Sequence, residues 1–217
     1  MIVAGFIKGI PMSASILVSK FGGTSMADFH AMMRSAKIAV ENKSNLTVVS
    51  ATSGTTNQLI ELTSMALEGN IDKAKELIQK IKSRHLNLGL ELELDDISQS
   101  SINTILSELD SLIQGIYFLK EASPKAFDRL QSVGERLSST LFTKALDIQL
   151  KLKDPNYQAE TLDARDYIIT NEQFNKARPL TEEIIKNCKP LIEQINSDSN
   201  RFFVTQGFIA NNKSGDT

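Results

Sequence analysis

Ile16-Leu17-Val18-Ser19-Lys20-Phe21-Gly22-Gly23-Thr24-Ser25 runs from a short apolar stretch, through a lysine, into paired glycines. A helical pattern follows, because Phe29, Met32, Met33, Ala36 and Val40 recur at helical spacing between positions 27 and 42. The same order returns with Leu46-Thr47-Val48-Val49, a run of small residues at 50–57, and a second helical pattern. Strand, loop and helix repeated in this way form the grammar of a parallel sheet. Strands this continuously apolar suit a sheet covered on both faces.

Further helices are expected at about 57–67, 72–88, 97–119, 125–150 and 181–195, and Phe202-Phe203-Val204-Thr205 returns to strand character. The fold class that results is α/β: a three-layer α/β/α sandwich with a mainly parallel sheet and a helical block, 57–150, inserted between strands. That block should pack as a cap or layer, with Met65, Leu77, Leu106 and Leu112 in its core by ordinary amphipathic logic.

Composition narrows the function classes. A chain of 217 residues with 41% hydrophobic residues can form one large domain, since folding at this size hides roughly 70% of the unfolded surface. A net charge of -2 gives no excess for holding nucleic acid, so a small-molecule role fits better. Cys188 is the single cysteine, which excludes an internal disulfide and a cysteine-based zinc site and points to a reducing compartment, the cytoplasm. His30 and His85 have no metal-ligand spacing, and no metal site is expected. The apolar opening is interrupted by Lys8 and Pro11, so neither a signal peptide nor a membrane span is expected. Residues 1–11, ahead of Met12, read as an extension or a misplaced start that adds nothing to the fold.

Three segments carry chemistry. In Lys20-Phe21-Gly22-Gly23-Thr24-Ser25, Ser25 and Asp28 have capping-box spacing, which would set the glycines at a helix N-terminus able to cradle phosphate beside the Lys20 charge. The alternative is a tight turn with a surface lysine, and neither established phosphate fingerprint is present. In Ser50-Ala51-Thr52-Ser53-Gly54-Thr55-Thr56-Asn57, small residues and hydroxyls invite close approach of a ligand, or Thr55 or Thr56 simply caps a helix. Two such loops after neighbouring parallel strands share one crevice. In Ser132-Val133-Gly134-Glu135-Arg136-Leu137-Ser138-Ser139, the Glu135 carboxylate could hold an ammonium group, or form an exposed pair with Arg136.

Together with Asp163-Ala164-Arg165-Asp166-Tyr167-Ile168-Ile169-Thr170 and Val204-Thr205-Gln206-Gly207-Phe208-Ile209, these segments stand in an order and spacing that resemble the aspartokinase family, within the amino-acid-kinase fold. The stretch 19–36 is most similar to the lysine-sensitive, single-function type. The resemblance implies ATP-dependent phosphorylation of the L-aspartate side chain to 4-phospho-L-aspartate, the first step towards lysine, threonine and methionine, with Mg²⁺ accompanying ATP. It implies that Lys20 is catalytic and contacts the phosphates, with Phe21, Gly22 and Gly23 completing the nucleotide-side loop. Ser50, Ala51 and Thr56 match residues lining the aspartate pocket, Glu135 matches the carboxylate that receives the α-amino group, and Phe208 falls near the substrate. Arg165 is expected to pair with a nearby aspartate.

The chain ends at Lys213-Ser214-Gly215-Asp216-Thr217, where family members continue into a segment bearing Arg-Gly-Gly-Ser-Asp. Residues 12–217 are therefore expected to be the N-terminal, amino-acid-binding lobe, without the rest of the nucleotide lobe or the regulatory ACT domains, and inactive alone. The full-length enzyme is expected to be a homo-oligomer. Ala210 stands where the family has a glycine. Another amino-acid kinase and a non-catalytic amino-acid-binding module remain as alternatives, while a nicotinamide-binding oxidoreductase lacks its glycine fingerprint.

Overall fold

The computed structural model describes residues 16–217, and the expected extension at 1–11 lies outside them. Its strands are β1 (Val18–Phe21), β2 (Leu46–Val49), β3 (Gln158–Leu162), β4 (Ile169–Thr170), β5 (Arg201–Gln206) and β6 (Asn211–Asn212). Its α-helices are α1 (Phe29–Glu41), α2 (Thr55–Glu68), α3 (Ile71–Glu91), α4 (Asp96–Leu119), α5 (Pro124–Lys151), α6 (Ala164–Tyr167) and α7 (Thr181–Ser197). The main sheet has the order β1-β2-β5-β3 and every pairing in it is parallel. Strands β4 and β6 pair separately. All four carboxyl ends of the main sheet thus meet along one edge, the usual ligand edge of an open α/β sheet.

Strand β3 was not foreseen, and its sequence shows why. Gln-Ala-Glu-Thr-Leu has little strand propensity, and only Leu162 of the five is buried. It becomes a strand by pairing with β5 in the register Gln158↔Arg201, at the sheet edge, where polar residues are tolerated. Glu160 and Arg201 reinforce that edge with an ion pair.

Helix α5 covers one face of the sheet with α1 packed beside it, and α2, α3 and α4 stack outside α5, so the inserted block is a layer as expected. Ser123 caps α5 by accepting from the Ala126 amide at 3.2 Å, and Pro124 sits in the first turn, where its missing N–H costs nothing. Leu130, Val133, Leu137, Leu141 and Phe142 then bury one stripe of α5 in the main core. Leu106 is buried in the same core, and Met65, Leu77 and Leu112 pack half-buried against it. The second face is covered by α7, whose Leu191 and Ile195 meet Leu162 and Phe203. No described helix is long and apolar enough to cross a membrane.

The capping box expected from Ser25 and Asp28 does not form. Residues Gly23–Met26 make a 3-10 turn instead, and Asp28, in extended backbone, caps α1 itself by accepting from the Ala31 amide at 2.8 Å. The glycines therefore lead into a tight turn ahead of α1 rather than into its N-terminus.

Candidate functional site

The two glycine-bearing loops are pressed together at the carboxyl edge. A methyl group added at Gly23 would stand 3.2 Å from the Ala51 carbonyl oxygen, so the first loop rests directly on the backbone of the second. From the other side, a methyl at Gly134 would meet Ala51 Cβ at 2.9 Å and Thr55 Cγ2 at 3.3 Å. Helix α5 can approach the second loop only because position 134 lacks a side chain. Gly22, by contrast, has open space. The Ser50 amide donates to the Phe21 carbonyl at 3.1 Å, which joins the loops where the strands end.

That approach places Glu135 one residue on, with only 7% of its surface exposed. The exposed pair with Arg136 is not what forms: Arg136 turns to Glu108 on α4 at 2.7 Å, and Arg129 joins the same carboxylate at 2.6 Å. Among the described residues Glu135 has no cationic partner. Burial raises the pKa of its carboxyl, opposed by hydrogen bonding from its own backbone and that of Ala51. A buried carboxylate with no cation is suited to receive an ammonium group.

A cleft of about 490 Å³ opens beside it, lined among others by Glu135, Gln206, Phe208, Ser132, Asp128 and Asn212. Phe208 is 84% exposed and holds a positive φ of 64°, a strained conformation for a bulky side chain. The Gly207 amide donates to the Val49 carbonyl at 2.8 Å, fixing this turn to the end of β2. Lys20 is exposed, and its Nζ lies 5.1 Å from the centre of the Phe208 ring. Gln206 ties the edge together by accepting from the Ala164 amide and donating to Ser139 Oγ, both at 2.8 Å.

Glu135 and Phe208 therefore share the cleft, Lys20 flanks it through Phe208, and Ala51 underlies it against Gly134. Ser50, Ala51 and Thr56 are not among the cleft's lining residues; Ala51 is buried, while Ser50 and Thr56 are half-buried in the adjoining loop. Phe21 turns its ring into the core, 5.9 Å from that of Phe142, and its carbonyl is taken by the Ser50 amide. Arg165 pairs with Asp163 as expected, with nitrogens 2.6 and 2.9 Å from the two carboxylate oxygens. Burial pushes the Asp163 carboxyl up, but the hydrogen bonds and charge of Arg165 outweigh it and hold the group below the usual carboxylate range. No group of three or more His, Cys, Asp or Glu side chains gathers among the described residues.

Sequence reasoning passed over Arg84 and His85. Both lie on α3 and reach the second loop, His85 through Thr52 and Arg84 through the Ser53 carbonyl. The signal available was the placement of His85 in the apolar stripe Ile78, Ile81, His85, Leu88, which marks a buried imidazole needing partners.

A model of the amino acid kinase family matches residues 15–217. Lysine-sensitive aspartokinase 3 of Escherichia coli is 33% identical over 211 residues, covering 94% of this chain and 43% of that protein. The aspartokinase of Chlamydia pneumoniae is 27% identical, covering 94% and 41%. The crystal structure of E. coli aspartokinase III in complex with aspartate and ADP matches with a TM-score of 0.78 at 31% identity, over 92% of this chain and 42% of that one. The chain thus spans less than half the length of these relatives. On its sequence and on its fold alike, it belongs to the amino acid kinase family, with aspartokinases as its relatives.

Proposed function

We propose that this chain is the amino-acid-binding lobe of an aspartate kinase, with residues 12–217 forming the N-terminal lobe of the kinase domain. The observation that carries the reading is the buried Glu135, without a cationic partner among the described residues, at the wall of the cleft, brought there by the close approach of Gly134 to Ala51. Glu135 would take the α-ammonium of aspartate, with Phe208 at the rim and the Ser50, Ala51 and Thr56 loop behind. The similar E. coli enzyme was crystallised with aspartate and ADP, which supports the same pair of ligands here.

The aspartate side chain, with a pKa of about 3.9, is already ionised at neutral pH and needs no general base. The difficulty is the approach of one anion to another, so positioning and electrostatics supply most of the catalysis. Lys20, an exposed cation at the end of β1, fits the phosphate side of that task, with the backbone of Phe21, Gly22 and Gly23 beside it. Mg²⁺ bound to ATP would neutralise further phosphate charge. The corresponding whole is a cytoplasmic, homo-oligomeric enzyme leading towards lysine, threonine and methionine; measured by itself, the lobe is expected to bind aspartate only weakly and without turning it over.

Calorimetry tests this directly. L-aspartate titrated into the 217-residue chain should give saturable heat that Glu135→Gln weakens by about tenfold or more, the loss expected for one charge-assisted hydrogen bond. Glutamate should bind more weakly. No binding by the parent chain, or equal binding by Glu135→Gln, would overturn the reading.

A further inference from the structure

Helix α3 stands in the inserted block, away from the sheet, yet two adjacent residues on it reach the ligand loops. Arg84 donates from Nη1 to the Ser53 carbonyl at 2.6 Å and from Nη2 to the Ala27 carbonyl at 2.8 Å. Ser53 lies in the loop after β2, and Ala27 follows the 3-10 turn after β1, so one planar guanidinium spans both segments. A lysine, with a single ammonium, would not reproduce that fork.

His85 is fully buried, and its Nδ1 lies 2.8 Å from the Ile81 carbonyl. A carbonyl can only accept, so Nδ1 carries the proton and Nε2 is left as an acceptor. Thr52 Oγ1, 3.1 Å from Nε2, must donate to it. Thr55 Oγ1, 2.6 Å from Thr52 Oγ1, must then donate in turn to Thr52. The tautomer of His85 thereby imposes one direction on the hydroxyl chain at the turn between β2 and α2. That turn follows directly on Ala51, the residue wedged between Gly23 and Gly134.

We propose that Arg84 and His85 are positioning residues for the amino-acid pocket: Arg84 latches the Lys20 loop to the Ser50 loop, and His85 locks the turn that holds Ala51 against α5. The inference rests on the reading of this cleft as the aspartate site. Neither residue lines the cleft, so their effect on the ligand passes through the loops.

The test uses Arg84→Lys, His85→Leu and His85→Gln in the full 217-residue chain, each well below its own melting temperature. Aspartate affinity is read by calorimetry, and backbone hydrogen exchange is read across residues 22–27 and 50–56. Arg84→Lys and His85→Leu should weaken aspartate by about tenfold and speed exchange in the loops while β2 and β5 stay protected. His85→Gln, whose amide oxygen can accept from Thr52 in place of Nε2, should recover most of the affinity. Unchanged affinity and unchanged loop exchange in Arg84→Lys and His85→Leu would reduce both residues to packing and overturn the proposal. If the parent binds no aspartate, the pocket reading fails, and exchange alone judges the latch: faster exchange in both loops of Arg84→Lys sustains it, and change confined to α3 refutes it.

Discussion

Replacing His85 with glutamine should remove a definite part of the protein's sensitivity to acid. Burial lowers the pKa of His85 from 6.5 to about 4; the Ile81 carbonyl opposes the shift and the charge of Arg84 adds to it. Thr52 and Thr55, which face the ring from the neighbouring turn, are uncharged. As pH falls below 6.5 the unfolded chain takes up a proton at this position, while the folded chain does not until about 4. The unfolded state then binds more protons, so folded stability declines across that window. A shift of this size integrates to about 3 kcal/mol, of which about 2 kcal/mol should disappear between about pH 7.5 and about pH 5. Urea unfolding of the parent and His85→Gln at these two pH values isolates the effect, because Glu108 and Asp163, whose carboxyls are also shifted, are common to both. With a urea slope of about 2 kcal/mol per molar, the parent's midpoint should fall by about 1 M more than the variant's. Parallel falls in the two proteins would refute the assignment of a buried, neutral imidazole.

Glu135→Gln should raise the melting temperature at neutral pH even as it weakens aspartate: the raised carboxyl pKa means the ionised group opposes folding above its unfolded value, a cost the amide does not carry. An unchanged or lower melting temperature would show that the charge is already compensated. Gly134→Ala should lower stability by about 1 kcal/mol and loosen aspartate binding, because overpacking of about 1–3 kcal/mol against Ala51 exceeds a helix-propensity gain of about 1 kcal/mol. Gly115→Ala on α4, with nothing within 4 Å of the added methyl, should instead stabilise by about 1 kcal/mol in the same denaturation assay. In an aspartate kinase carrying this lobe, Lys20→Ala should leave aspartate affinity nearly unchanged and slow ADP release by about a hundredfold or more, measured in a coupled assay.

Periodicity alone made β1, β2, β5 and the long helices legible, because each is decided by neighbours a few residues apart: apolar runs for the strands and a helical stripe such as Phe29, Met32, Ala36 and Val40. The Gly22-Gly23 pair and the family-like segments also marked the candidate residues in advance. Strand β3 was hidden because its polar sequence has no preference of its own and is recruited by β5. The fate of Glu135 was equally undecided, since Glu135-Arg136 reads as a surface pair until Glu108, on another helix, takes the arginine. Arg84 and His85 could not be assigned because their partners lie 57, 31 and 33 residues away, at Ala27, Ser53 and Thr52. The sequence by itself determined β1, β2, β5 and the long helices, and which residue types are available at their ends. Only the tertiary structure decided which of those residues are buried and which are paired, because burial and hydrogen-bond partners are set by contacts between elements far apart in the chain.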